Sequence, residues 1–153
     1  MKIIRFAMQL AVLSAMVYGA YAEKVDMTPE KLRQTATHII LGTVLHIYER
    51  SETDNAWDTT HYLAEVEANA VEKGDNISKG DLVYIRYWRR RWVGAQNDLR
   101  ILDTAGHRGL PKTGESLRIY LARNAYDGFS VTADGGFNVI GANGFEKLEK
   151  PAP

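Results

Sequence analysis

The run Tyr84-Ile85-Arg86-Tyr87-Trp88-Arg89-Arg90-Arg91-Trp92 is the densest grouping of chemically capable side chains in the chain. Read as an extended strand, it places Tyr84, Arg86, Trp88, Arg90 and Trp92 on one face and leaves Val83, Ile85 and Tyr87 on the other. Aromatic rings stack on flat ring faces, and a guanidinium fork binds phosphate, sulfate or carboxylate through two parallel hydrogen bonds. Such a row is a grip for an anionic polymer. A purely structural use competes with it: the rings would cover the end of a barrel while the arginines pair with Glu65, Glu67 or Glu72, and charge on an edge strand would also resist aggregation.

The four histidines form a second grouping. If the segments around residues 45 and 62 pair as an antiparallel hairpin with matched core faces, His46 lies opposite His61 on the outer face. Two imidazoles at cross-strand distance, joined by His107 or Asp58, would suit Zn²⁺ or Cu²⁺. The plainer expectation is a half-exposed pair near the hairpin's open end. His38 marks a helix-to-strand junction. A third grouping, Gly106-His107-Arg108-Gly109-Leu110-Pro111-Lys112-Thr113-Gly114, lacks the glycine-lysine order of a phosphate loop. Its His107 and Arg108 would line a ligand mouth, or the segment is a rigid turn leading into the next strand.

Nothing in the chain resembles a nucleophile elbow or sets a base beside an activated hydroxyl. With no cysteine, thiol catalysis, thiolate metal sites and disulfides are excluded. Glu65 and Glu67 share a strand face, where an ion-pairing role is simpler than an acid–base pair. The balance is against an enzyme, and no cofactor is implied.

The elements that must position these residues can be read from pattern. Thr28-Pro29-Glu30 is a helix start, with Thr28 as N-cap and Pro29 at the first helical position, for a short helix to about Thr37. Ile39 to Glu49 and Thr60 to Val71 read as a long antiparallel hairpin around a polar loop, 50–59. In its second arm Tyr62, Ala64, Val66, Ala68 and Ala70 face the core, and Gly42 in the first is a bend or bulge. A third strand runs Leu82 to about Trp92. A long irregular link follows to Gly114, with one helical turn near Leu99 to Leu102. Strands are expected at 116–123, 129–132 and 137–140, with a turn at 133–136 and a loose tail at 149–153.

The N-terminus reads as an export signal. Lys2 and Arg5 precede an apolar run from Phe6 to Val17, and Ala20-Tyr21-Ala22 is a small-x-small cleavage pattern. The apolar run is shorter than the roughly 20 residues needed to cross a bilayer, so no transmembrane anchor is expected in the mature form. Cleavage after Ala22 leaves Glu23 to Pro153, 131 residues, as a single domain ending near residue 148. Removing Lys2 and Arg5 from the nineteen basic residues leaves seventeen against nineteen acidic, a net charge of −2. The arginine-rich strand is thus a local exception on a slightly acidic, secreted or periplasmic protein, which makes nucleic acid an improbable guest.

The order of elements, with the phrases HIILGTV, KGDLVYIRYW and GHRGLPKTGESLRIYL, resembles secreted bacterial OB-fold-like domains of the netrin-like type. The resemblance implies an all-β, five-stranded OB-like barrel packed beside one helix. It implies no functional residue, because the cysteines typical of those domains have no counterpart here. The expectation is a secreted or periplasmic binding module. It would contact an acidic glycan or a protein partner through Arg86, Trp88, Arg90 and Trp92, with His107 and Arg108 nearby. The alternative is a metal protein built on His46, His61 and His107.

Overall fold

A computed structural model describes residues 24–95, 104–123 and 136–148. The export signal, the C-terminal tail, the turn expected near 99–102 and the strand expected at 129–132 lie outside these residues. The helix α1 is Pro29–Thr35, and the Thr28 hydroxyl accepts a hydrogen bond from the Lys31 amide at 3.3 Å. This satisfies one of the amide groups that a helix start leaves without an intrahelical partner. One face of α1 buries Leu32, which with Ala36 packs against Ile39, Tyr120 and Ile140.

Seven strands follow: β1 (His38–Asp54), β2 (Trp57–Lys73), β3 (Leu82–Trp92), β4 (Thr104–Gly106), β5 (Ser116–Ala122), β6 (Phe137–Val139) and β7 (Phe145–Lys147). The described chain is therefore mostly β with one short helix. Among the described residues, no helix is long and apolar enough to cross a membrane. The segment 50–59, expected as a loop, is mostly strand. Only Asn55 and Ala56 turn, both at positive φ (47° and 65°), as a two-residue hairpin turn of matching twist requires. Its polar residues hid the strands because neither side of this outer ribbon lies in the core. The link after β3 also holds a strand that pattern missed, with β4 antiparallel to Arg89–Arg91 of β3.

β1, β2, β3, β6 and β5 close a ring, because β5 returns to pair with β1 over His38–Thr43. Five strands cannot alternate direction all the way round, so at least one neighbouring pair must be parallel. That pair is β3 and β6, joined only at Ile85 with Phe137 and Arg86 with Asn138. β4 then continues along the same edge of β3, while β6 and β7 share one edge of β5. The ring's interior is filled by Ile40, Val44, Ala64, Val66, Ile85, Leu117 and Ile119, all fully buried, and their neighbours. The alternation of β2 holds: Ala64, Val66 and Ala68 face inward, while Glu67 and Asn69 are exposed.

Three register shifts interrupt the β1–β2 ladder, after Ile39, Leu41 and Val44. Gly42 sits at the second, where a Cβ would run into the Val66 side chain. The bulges let the hairpin bend into the ring, since an extra residue kinks a strand and increases its twist. Outside the ring, Arg118 clamps the structure. Its guanidinium donates to both carboxylate oxygens of Glu72 and to Glu146, and the Tyr120 hydroxyl donates to Glu146 at 2.7 Å. Those carboxylates hold the Arg118 pKa above its ordinary value.

Candidate functional site

The paired strands β2 and β3 set Trp57 opposite Trp92, Thr59 opposite Arg90, His61 opposite Trp88 and Leu63 opposite Arg86. β1 adds Arg50 opposite His61 and Tyr48 opposite Leu63. Because successive side chains alternate, all of these share the face turned away from the ring's interior. Tyr87 points the other way and stacks on Tyr62, with centroids 4.9 Å apart. Burial, and the neighbouring Tyr62 and Glu49, push its hydroxyl pKa well above the ordinary value.

On the outer face, the Arg90 guanidinium lies 4.4 Å over the Trp57 ring and 5.9 Å from that of Trp88. Trp57 meets Trp92 edge-on at 5.2 Å, and the Trp92 indole nitrogen donates to the Ala95 carbonyl at 3.3 Å. The result is a cation held between two indoles, with Trp92 in edge contact with one of them, an arrangement in which each cation–ring contact is worth about 0.5–2 kcal/mol. Trp88 is 5% exposed, so it supports this layer from beneath and is not itself open to a ligand. Its indole lies against β4, where Gly106 (φ 104°) has no room for a side chain: a Cβ would stand 2.8 Å from the ring. Trp92, Arg86 and Arg90 are half-buried. Desolvation pulls the Arg86 pKa below its ordinary value.

The arginine triplet splits across the two faces. Arg90 belongs to the indole layer, while Arg89 and Arg91 point to the opposite side, where Arg91 pairs with Asp58 at 3.5 Å. The ion pairs that the structural reading expected are arranged differently. Glu65 and Glu67 lie opposite Tyr84 and Leu82, and Glu72 is engaged by Arg118 and Arg33.

His46 does not face His61, a correction to the expected metal pair. The register fixed by the two-residue turn at Asn55 and Ala56 sets His61 opposite Arg50 and His46 opposite Glu65. The His61 Nε2–H donates to Glu52 at 3.1 Å. Among the described residues, no three His, Cys, Asp or Glu side chains gather in a way that could hold a metal ion.

His107 is also displaced from its expected place at a ligand mouth, being 1% exposed. Its Nε2 lies 3.0 Å from the Val139 carbonyl, which can only accept, so that nitrogen carries the proton. Nδ1 then accepts from the Trp88 amide at 3.1 Å. The imidazole thus bridges β3 and β6 just where their backbones part. Lys24, also buried, donates to the same Val139 carbonyl at 3.1 Å. Burial first, and the nearby ammonium second, lower the His107 pKa to about 4. Arg108 is exposed and pairs with Asp26 at 3.0 Å.

No family model, curated protein or solved structure matches this chain. Function has to be read from the geometry.

Sequence reasoning missed Trp57, Tyr48 and Arg50 as members of the face. The alternation of Trp57, Thr59, His61 and Leu63 was a usable signal, masked by the assignment of 50–59 to a loop.

Proposed function

We propose that the chain is a secreted or periplasmic binding module of the OB-like type. Its contact face is the outer surface of the β1–β3 ribbon, and its partner is anionic, an acidic polymer or an acidic protein surface. The observation that carries this reading is the Trp57–Arg90–Trp88 layer flanked by Trp92 and Arg86 on one strand face. A guanidinium held over indoles is oriented in advance, so less rotamer entropy is lost when it binds a carboxylate, sulfate or phosphate. The five-strand ring with its single parallel junction supports the OB-like assignment. The export pattern at residues 1–22 supports an extracytoplasmic setting.

The test is retention on a sulfated-polysaccharide column at low salt. Arg86→Gln with Arg90→Gln is expected to elute at markedly lower salt than the parent, whereas Arg89→Gln with Arg91→Gln, the same loss of charge from the opposite face, is expected to elute closer to it. Equal elution of the two double variants, both still folded by circular dichroism, would remove the proposed face.

A further inference from the structure

On the ringward side of Trp88 the same face carries a depression that the indole layer does not use. Leu63 of β2 is its floor. Tyr48 of β1 and Arg86 of β3 stand on either side in one cross-strand row, and Arg50 and His61 form the next row. These residues, with Glu49 and Tyr62, line an open cleft of about 290 Å³. Tyr48 is 55% exposed beside this apolar floor. Glu52 is in contact with Arg50 at 3.4 Å and with His61 at 3.1 Å. Arg86 places a guanidinium at the ringward end of the cleft.

Size and chemistry narrow the occupant. Sites for drug-sized ligands begin near 300 Å³, so this cleft holds about one ring. Strands are spaced by about 4.8 Å, which sets the backbones bearing Tyr48 and Arg86 about 10 Å apart with room for a ring between their side chains. A flat aromatic wall and an aliphatic floor suit the apolar face of a pyranose, and a guanidinium at the rim suits a charge carried on that ring. An acidic peptide brings the charge without the face. From Leu63 to Trp57 the face runs on for six residues, about 20 Å, toward the Arg90 layer, which fits a polymer better than a single sugar.

We propose that the Tyr48–Leu63–Arg86 cleft is a subsite for one acidic pyranose unit, a uronate or a sugar sulfate, of a longer acidic glycan. The proposal rests on the anionic-partner reading above and adds the ring to the charge.

The full mature chain is titrated with three probes: a galacturonate oligomer, a sulfated oligosaccharide, and inorganic polyphosphate, which has charge but no sugar ring. Tyr48→Ala is expected to weaken binding of at least one of the two saccharides about ten-fold and of polyphosphate less than two-fold. Tyr48→Phe, which keeps the ring, is expected to bind like the parent. Arg86→Gln with Arg90→Gln is expected to weaken all binding. The saccharide that responds identifies the carboxylate or the sulfate as the charged group. Failure of the parent to bind either saccharide, or a Tyr48→Ala effect that is absent or equal on all three probes, overturns the subsite. The broader reading still stands in that case if the arginine double variant weakens polyphosphate binding, and falls if it does not.

Discussion

Two stretches of β3 lie a few residues apart and treat polar groups in opposite ways. At Trp88 the strand meets the β6 seam, where His107 is sealed from water with each ring nitrogen facing a backbone partner and Lys24 donating to the same carbonyl. At Arg90 the strand has left the ring, and its guanidinium rests on indoles at a half-buried surface. The seam's polar groups are positioned by what they bond to, the ribbon's by what they stack on. Buried hydrogen bonds are costly to break singly, whereas a stacked surface cation can be approached by a new partner. The first region therefore fits a role in holding the ring closed, and the second fits recognition.

The comparison breaks most sharply at His107. Replacing it with Ala leaves the Trp88 amide and the Val139 carbonyl short of a partner and opens a void, for an expected loss of about 3–4 kcal/mol by urea unfolding. A loss below about 1 kcal/mol would show that the seam does not depend on it.

Acid should act on the same group. The folded pKa of about 4 lies below the ordinary 6.5, so between those values the unfolded chain binds a proton that the folded chain does not. The contribution is complete above pH 6.5 and is lost as the pH falls toward 4, by on the order of 3 kcal/mol. Stability measured across that window should slope downward with acid in the parent and flatten in His107→Gln. An unchanged slope in the variant would assign the acid sensitivity to other groups.

In the ribbon, Trp57→Ala removes Arg90's nearer stacking ring and Trp92's edge contact, for an expected cost of about 2 kcal/mol in stability. It should also reduce retention on the sulfated-polysaccharide column. A cost as large as that of His107→Ala would mean that the ribbon, too, is a structural element first. The smallest effect is expected at the hairpin tip. Ala56→Gly relieves a positive φ in a turn that favours glycine at this position, for a gain of about 0.5–1 kcal/mol in thermal or urea unfolding, with binding unchanged. Any shift in binding would show that the tip contacts the partner.

Features set by near neighbours were legible in the sequence. Thr28 and Pro29 start the helix, the alternation of β2 selects Ala64, Val66 and Ala68 for the core, and the limits of β3 match its aromatic and β-branched run. Each depends on a cap or a two-residue period, both of which are written within a few positions. The arginine–tryptophan row was equally visible as a face. Which of its rings is open was not, because β4 covers Trp88 from a distant part of the chain.

Register and closure were decided only by the tertiary structure. The two-residue turn at Asn55 and Ala56 fixes an unbroken register back to His46, which sets His46 and His61 against Glu65 and Arg50 and not against each other, although both lie in strands that pattern had placed side by side. Where a bulge falls depends on packing against the whole ring, as Gly42 against Val66 illustrates. His107 likewise reads as a loop residue until β3 and β6 leave a gap of the right width for an imidazole. The sequence determined the local elements and the chemistry of the outer face, since those follow from spacing along the chain. Contacts between residues far apart in the chain decided which of those groups are sealed in the ring and which are left open at its surface.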